Sequence, residues 1–89
     1  MIFRRRQKLP HRETLKLELA AMVETELLTE KERVPVADAN LLEILDSIRV
    51  LRLCALVEER YGVKIQDDEL TMDNFSGCDA LAILLTGKS

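Results

Sequence analysis

The stretch DSIRVLRLCALVEERYG, residues 46–62, decides the fold. Aspartate is a strong helix N-cap, since its carboxylate accepts a first-turn N–H and complements the positive end of the helix dipole. A glycine just past the last apolar residue is a common helix stop. Neither Pro nor Gly interrupts the interval between Asp46 and Gly62, so the spacing predicts a helix over Ser47–Tyr61. Its apolar set is Ile48, Val50, Leu51, Leu53, Cys54, Ala55, Leu56, Val57 and Tyr61, which covers well over half the circumference. That width is too great for a helix packed on one side and predicts a central helix with neighbours on both flanks. Arg49, Arg52, Glu59 and Arg60 form the narrower wet stripe, with Leu56 exposed among them.

Upstream, Leu41, Leu42, Ile44 and Leu45 form an apolar cluster that should fold a long loop, residues 29–40, down onto the bundle. Before that loop a first helix is expected over residues 10–28, with Pro10 in its first turn and Leu15, Leu19, Met22 and Val23 as its inward stripe. Downstream, Val63 and Ile65 alternate with Lys64 and Gln66 in an extended link, and Asp67, Asp68 and Glu69 read as a solvated acidic loop. Thr71 is expected to cap a single turn through Phe75. Ser76 then starts a last helix, with Asp79 in a variant capping box, Ala80, Leu81, Ile83 and Leu84 as its apolar face and Gly87 as its end. The expected fold class is all-α, a small bundle of three main helices plus a short helical turn over residues 10–87.

Composition narrows the function. Eighty-nine residues suffice for one small domain, and the only aromatics are Phe3, Tyr61 and Phe75, so aliphatic side chains must fill the core. The net charge is -3, yet Arg4, Arg5, Arg6 and Lys8 stand together at the start without an acid; residues 1–9 read as a basic, disordered, solvated tail, with a small anchor for an anionic surface as the other reading. The acidic remainder argues against a nucleic-acid partner, which needs a basic surface. Cys54 and Cys78 lack zinc-site spacing and read as packed free thiols. No stretch has the length of a membrane span, and no apolar segment follows the basic start; a cytoplasmic location is expected. His11 is the only histidine, so no catalytic triad is available and the chain is not expected to be an enzyme.

From Asp38 to Leu85 the chain resembles the acyl, peptidyl and D-alanyl carrier proteins. The family's Asp-Ser-Leu signature at a helix start corresponds here to Asp46, Ser47 and Ile48. The resemblance continues through the acidic helix end with an aromatic and a glycine, Glu58, Glu59, Tyr61 and Gly62. It extends to the apolar pair and acidic loop, and to the Leu-Thr-x-x-Asn-Phe turn at residues 70–75. Two positions depart from the pattern. Ile44 stands three residues before the serine, where a glycine is common, and Arg49 and Arg52 occupy a helix face that is usually acidic.

The resemblance implies that Ser47 carries a 4'-phosphopantetheine arm, delivered from coenzyme A by a phosphopantetheinyl transferase, whose terminal thiol holds an acyl or aminoacyl cargo as a thioester. It further implies that Asp46 caps the helix and helps hold the transferase's metal ion, while the chain holds no metal of its own. Ile48 would be a recognition knob, and Arg49 and Arg52 would select partners. The expected partners are that transferase, an acyl- or aminoacyl-loading ligase and a downstream transferase, met by a monomer in a specialised biosynthetic pathway. Two readings stay open. Ser47 beside Asp46 also suits plain helix capping, and the chain also suits an unmodified, carrier-like interaction module.

Overall fold

The computed structural model describes residues 9–88. The basic segment of residues 1–8 lies outside the described residues; Leu9 packs half-buried against the core. Four α-helices follow: α1 (Arg12–Met22), the short α2 (Leu41–Ile44), α3 (Ser47–Tyr61) and α4 (Cys78–Lys88), and no strand occurs among the described residues. The all-α architecture with three main helices is the one the sequence predicts.

In α1, Leu15, Leu19 and Met22 recur at helical spacing and are buried, and Val23 continues the row. Pro10 stands before the helix, not in its first turn: His11 holds the N-cap position and Arg12 opens the helix. The expected continuation to residue 28 takes the form of a π turn, Val23–Leu27. Its widening bond runs from Leu28 N to Val23 O at 3.1 Å, and both Leu27 and Leu28 are buried behind it. The loop then descends along the bundle. A 3₁₀ turn, Glu30–Glu32, is closed by Thr29 and Glu32 in a capping box, and the Val36 N–H donates to Glu24 Oε2 at 2.9 Å. These bonds satisfy loop backbone that would otherwise be partly buried and unpaired, and they let Val36 enter the core.

α3 begins and ends where the sequence predicts. The Asp46 carboxylate accepts from Arg49 N at 2.9 Å, and Gly62 closes the helix at φ +70°, a left-handed conformation that carries no Cβ penalty in glycine. Its inward row is Val50, Leu53, Val57 and Tyr61. The Tyr61 hydroxyl reaches α1 and donates to Glu18 Oε1 at 2.7 Å, so burial and that acceptor raise its pKa. Not all of the apolar set is buried. Ile48 and Leu51 remain 69% and 58% exposed, and Ala55 between them is exposed too. Leu56, expected in water, is instead half-buried against the core. The reason lies in the ion pairs of Arg49 with Glu32 and Arg60 with Glu26, both at 3.0 Å. Arg49, Leu56 and Arg60 share one side of the helix, and these pairs tie that side to the π turn and the loop.

After Gly62, Ile65 is buried and Val63 partly so, as the alternation implies. The acidic loop is more ordered than expected. Asp67–Glu69 forms a 3₁₀ turn in which Glu69 Oε1 accepts from Gln66 N at 2.7 Å and from Lys88 Nζ at 2.9 Å. Thr71 caps the next turn through Asn74 N at 3.2 Å, and Phe75 is fully buried. Ser76 does not start α4. Its hydroxyl donates to Asp73 O at 3.1 Å and so closes the preceding turn, while Gly77 O accepts from Leu81 N at 3.1 Å. The buried face of α4 is Cys78, Leu81, Ala82 and Leu85, not the expected set; Ile83 is 49% exposed. This helix is apolar nearly all round, so its own periodicity is weak, and packing on α1 selects the face. Gly87 sits inside α4, which runs on to Lys88 because the Lys88–Glu69 pair anchors the last turn.

Candidate functional site

Ser47 is the first residue of α3, and its side chain is exposed. Asp46 takes the Arg49 N–H for the cap, leaving other first-turn N–H groups that the helix itself does not use. Immediately before Asp46, α2 ends at Ile44 and Leu45 turns in an extended conformation, φ −116°. Ile44 is helical and half-buried against the core, and no described non-glycine residue has positive φ. The turn into Ser47 therefore needs none of the freedom of a glycine, and the substitution of isoleucine at that position is accommodated by packing.

Ser47 lies on the lip of an open groove of about 400 Å³. Leu42 and Leu45, Val50 and Leu51 of α3, and Leu70 and Phe75 form its walls. Apart from the serine, every lining side chain is apolar. The segment that bears Leu70 and Phe75 is held by the Lys88–Glu69 pair and by Asn74 Nδ2, which donates to Glu69 O at 2.9 Å. The N–H of Gln66 and then the Lys88 ammonium hold the Glu69 carboxyl below its ordinary pKa. Among the described residues no cluster of three or more His, Cys, Asp or Glu could hold a metal ion.

The residues expected around the serine divide in two. Asp46, Ser47 and Ile48 form one continuous exposed surface at the helix start, and Arg52 is exposed one turn beyond Ile48. Arg49 is turned away: its guanidinium is only partly exposed and pairs with Glu32, whose carboxyl is held below its usual pKa first by the Thr29 N–H and then by Arg49. Sequence reasoning did not assign Leu42, Leu45, Leu51, Leu70 and Phe75 to the site, because it read them as core or linker. Leu51 had a visible signal, one helical turn from Ser47.

The family model described as phosphopantetheine attachment site matches residues 17–82, most of the chain, with the groove and Ser47 inside the match. The chain belongs to this family. No curated protein and no solved structure shows a significant match. A phosphopantetheine-family chain is a carrier whose cofactor is a covalently attached 4'-phosphopantetheine, and such carriers work with a phosphopantetheinyl transferase and biosynthetic enzymes. The carrier fits the group. An exposed hydroxyl in the first turn of a capped helix would meet a phosphodiester anion with free N–H groups and the positive dipole end, beside an apolar groove. When bound, the arm supplies a terminal thiol for thioester chemistry. Among the described residues no helix is long and apolar enough to cross a membrane.

Proposed function

We propose that the Ser47 hydroxyl is the attachment point, and that the carrier presents an acyl thioester to the enzymes of a specialised biosynthetic pathway. The observation that carries this reading is an exposed serine opening a capped helix on the lip of an apolar groove. In the loading step the hydroxyl attacks the diphosphate of coenzyme A. A new P–O bond forms, adenosine 3',5'-bisphosphate leaves, and the hydroxyl proton is lost. Asp46 fixes the helix start, and its outer surface is available to the transferase's metal ion. The groove favours an acyl cargo over an aminoacyl one. Its lining holds no carboxylate to pair with an ammonium group, and a buried unpaired charge is costly. Arg52, in place of an acid on the exposed helix, supports partners other than those of primary fatty-acid synthesis: a dedicated loading ligase and a downstream transferase. The protein acts as a monomer that is itself no enzyme. A reducing cytoplasm suits its two free thiols.

The test is incubation with coenzyme A and a broad-specificity phosphopantetheinyl transferase, followed by intact mass. The wild type is expected to gain one arm and Ser47→Ala none. An arm on Ser47→Ala would move the site elsewhere. A wild type that stays unmodified beside a modified control carrier would favour the interaction-module reading.

A further inference from the structure

One ion pair reaches from the end of α4 to the edge of the groove. Glu69 precedes the groove-lining Leu70 and is the hub of its segment. Its carboxylate accepts from Gln66 N at 2.7 Å and, on both oxygens, from Lys88 Nζ at 2.9 Å. Its carbonyl accepts from Thr71 N and Asn74 Nδ2, both at 2.9 Å. Among the described residues, the other hydrogen bonds of residues 66–76 all close within that segment. The Lys88 bridge is therefore, among those residues, the segment's one polar tie to the rest of the bundle. The two ends of the segment are held differently. Phe75 is fully buried, whereas Leu70 is only half-buried.

That asymmetry makes Leu70 the side of the groove that can move, with Lys88 as its restraint. We propose that Lys88 is a positioning residue for the cargo: its bridge to Glu69 fixes Leu70 and so sets the width of the groove beside Ser47. This rests on Ser47 being the attachment site. Lys88 does not itself line the groove, so its influence passes through Glu69. A slim acyl chain gains from a wall already in place, because the segment need not be ordered when the chain enters. The chain also leaves water only as far as the wall closes on it. The pair is suited to act as a restraint. Its two side chains are 25% and 23% exposed, so salt screens it less than a pair in open solvent. Lys88 ends α4, where its charge complements the negative end of the helix dipole.

The experiment takes one reading on the loaded protein and one on the bare chain. Acetyl and octanoyl arms are loaded from their coenzyme A thioesters by the broad-specificity transferase. Hydrolysis to the acid and the free thiol is then followed by intact mass. Lys88→Met is expected to hydrolyse its octanoyl thioester about threefold faster than the wild type, the scale of a partly exposed ion pair, and its acetyl thioester at the wild-type rate. Lys88→Arg keeps the charge and should stay near the wild type, and Glu69→Gln should fall between. On the unmodified chain the bulky neutral dye Nile red should bind Lys88→Met about threefold more tightly than the wild type, because a freed wall swings outward. A slim cargo is thus expected to lose where a bulky one gains, which general loosening would not produce. The proposal is overturned if Lys88→Met hydrolyses both thioesters like the wild type, speeds both alike, or leaves dye binding unchanged. If the wild type gains no arm, the dye decides alone: tighter binding by Lys88→Met keeps the restraint while the attachment reading fails, and equal binding sinks both.

Discussion

The inward and outward rows of α3 are built from nearly the same side chains and meet opposite fates. Val50, Leu53, Val57 and Tyr61 are buried in the core, whereas Ile48, Leu51 and Ala55, drawn from the same apolar stretch, stay in water. The lesson is that hydrophobicity specifies that a surface is to be covered, not by what. The chain's own elements cover the first row. The second adjoins the serine and stays exposed.

Substitutions across the two rows test that contrast most strongly. Leu53→Ala removes a fully buried side chain and should cost about 2–5 kcal/mol of stability, whereas Leu51→Ala should stay within about 0.5 kcal/mol. Urea midpoints at unchanged slope are the measure, and equal losses at the two positions would mean that the rows are not distinct. Next in size is the cap that begins both rows. Asp46→Ala should destabilise by about 1 kcal/mol, and Asp46→Asn by much less, since asparagine caps comparably.

Acid probes the groove wall that bears Leu70 and Phe75. The Glu69 carboxyl titrates below its ordinary range when folded, so its contribution is fully present above that range. It is lost as pH falls through the lowered folded value, where the carboxyl takes up its proton and releases Lys88. Stability measured against pH should therefore decline on the acid side, and Glu69→Gln should flatten part of that decline; an identical acid limb would remove Glu69 from the wall. The smallest effect is expected at Arg52→Ala, within about 0.5 kcal/mol, because this residue stands in water on the outward face. A larger loss would show that the outward face supports the fold itself.

Most of the fold was legible in the sequence because local rules govern it. Asp46 and Gly62 marked α3 at both ends, since a side-chain cap and a left-handed stop depend on few neighbours. The α1 row was equally clear, with polar residues separating its aliphatic ones. Legibility failed where the pattern had no polar side to orient it. In α4 the choice between Ile83 and Ala82 as the buried residue is made by α1, which no local spacing reveals. Helix ends set by distant side chains escaped for the same reason: Lys88 carries α4 past Gly87 through a partner nineteen residues earlier in the chain. At the site, the serine, its cap and Ile48 were visible as a contiguous motif. The groove was not, because Leu42, Leu70 and Phe75 meet there only after the chain has folded. Nor did composition disclose that Arg49 is neutralised by Glu32 while Arg52 is not.

Cys78 is buried and Cys54 partly so. The Cys78 thiol is pushed up to about 11, and burial raises that of Cys54 as well, so both stay protonated near neutral pH. Alkylating reagents attack the thiolate and need access to it. The free end of a pantetheine arm, with neither restraint, would outpace both native sulfurs. Timed alkylation of the unaltered sequence then becomes a counting assay: no rapid equivalent before the arm is attached, one once it is, and none again when the sulfur is acylated. Occupancy can be followed in this way without engineering either cysteine out of the core.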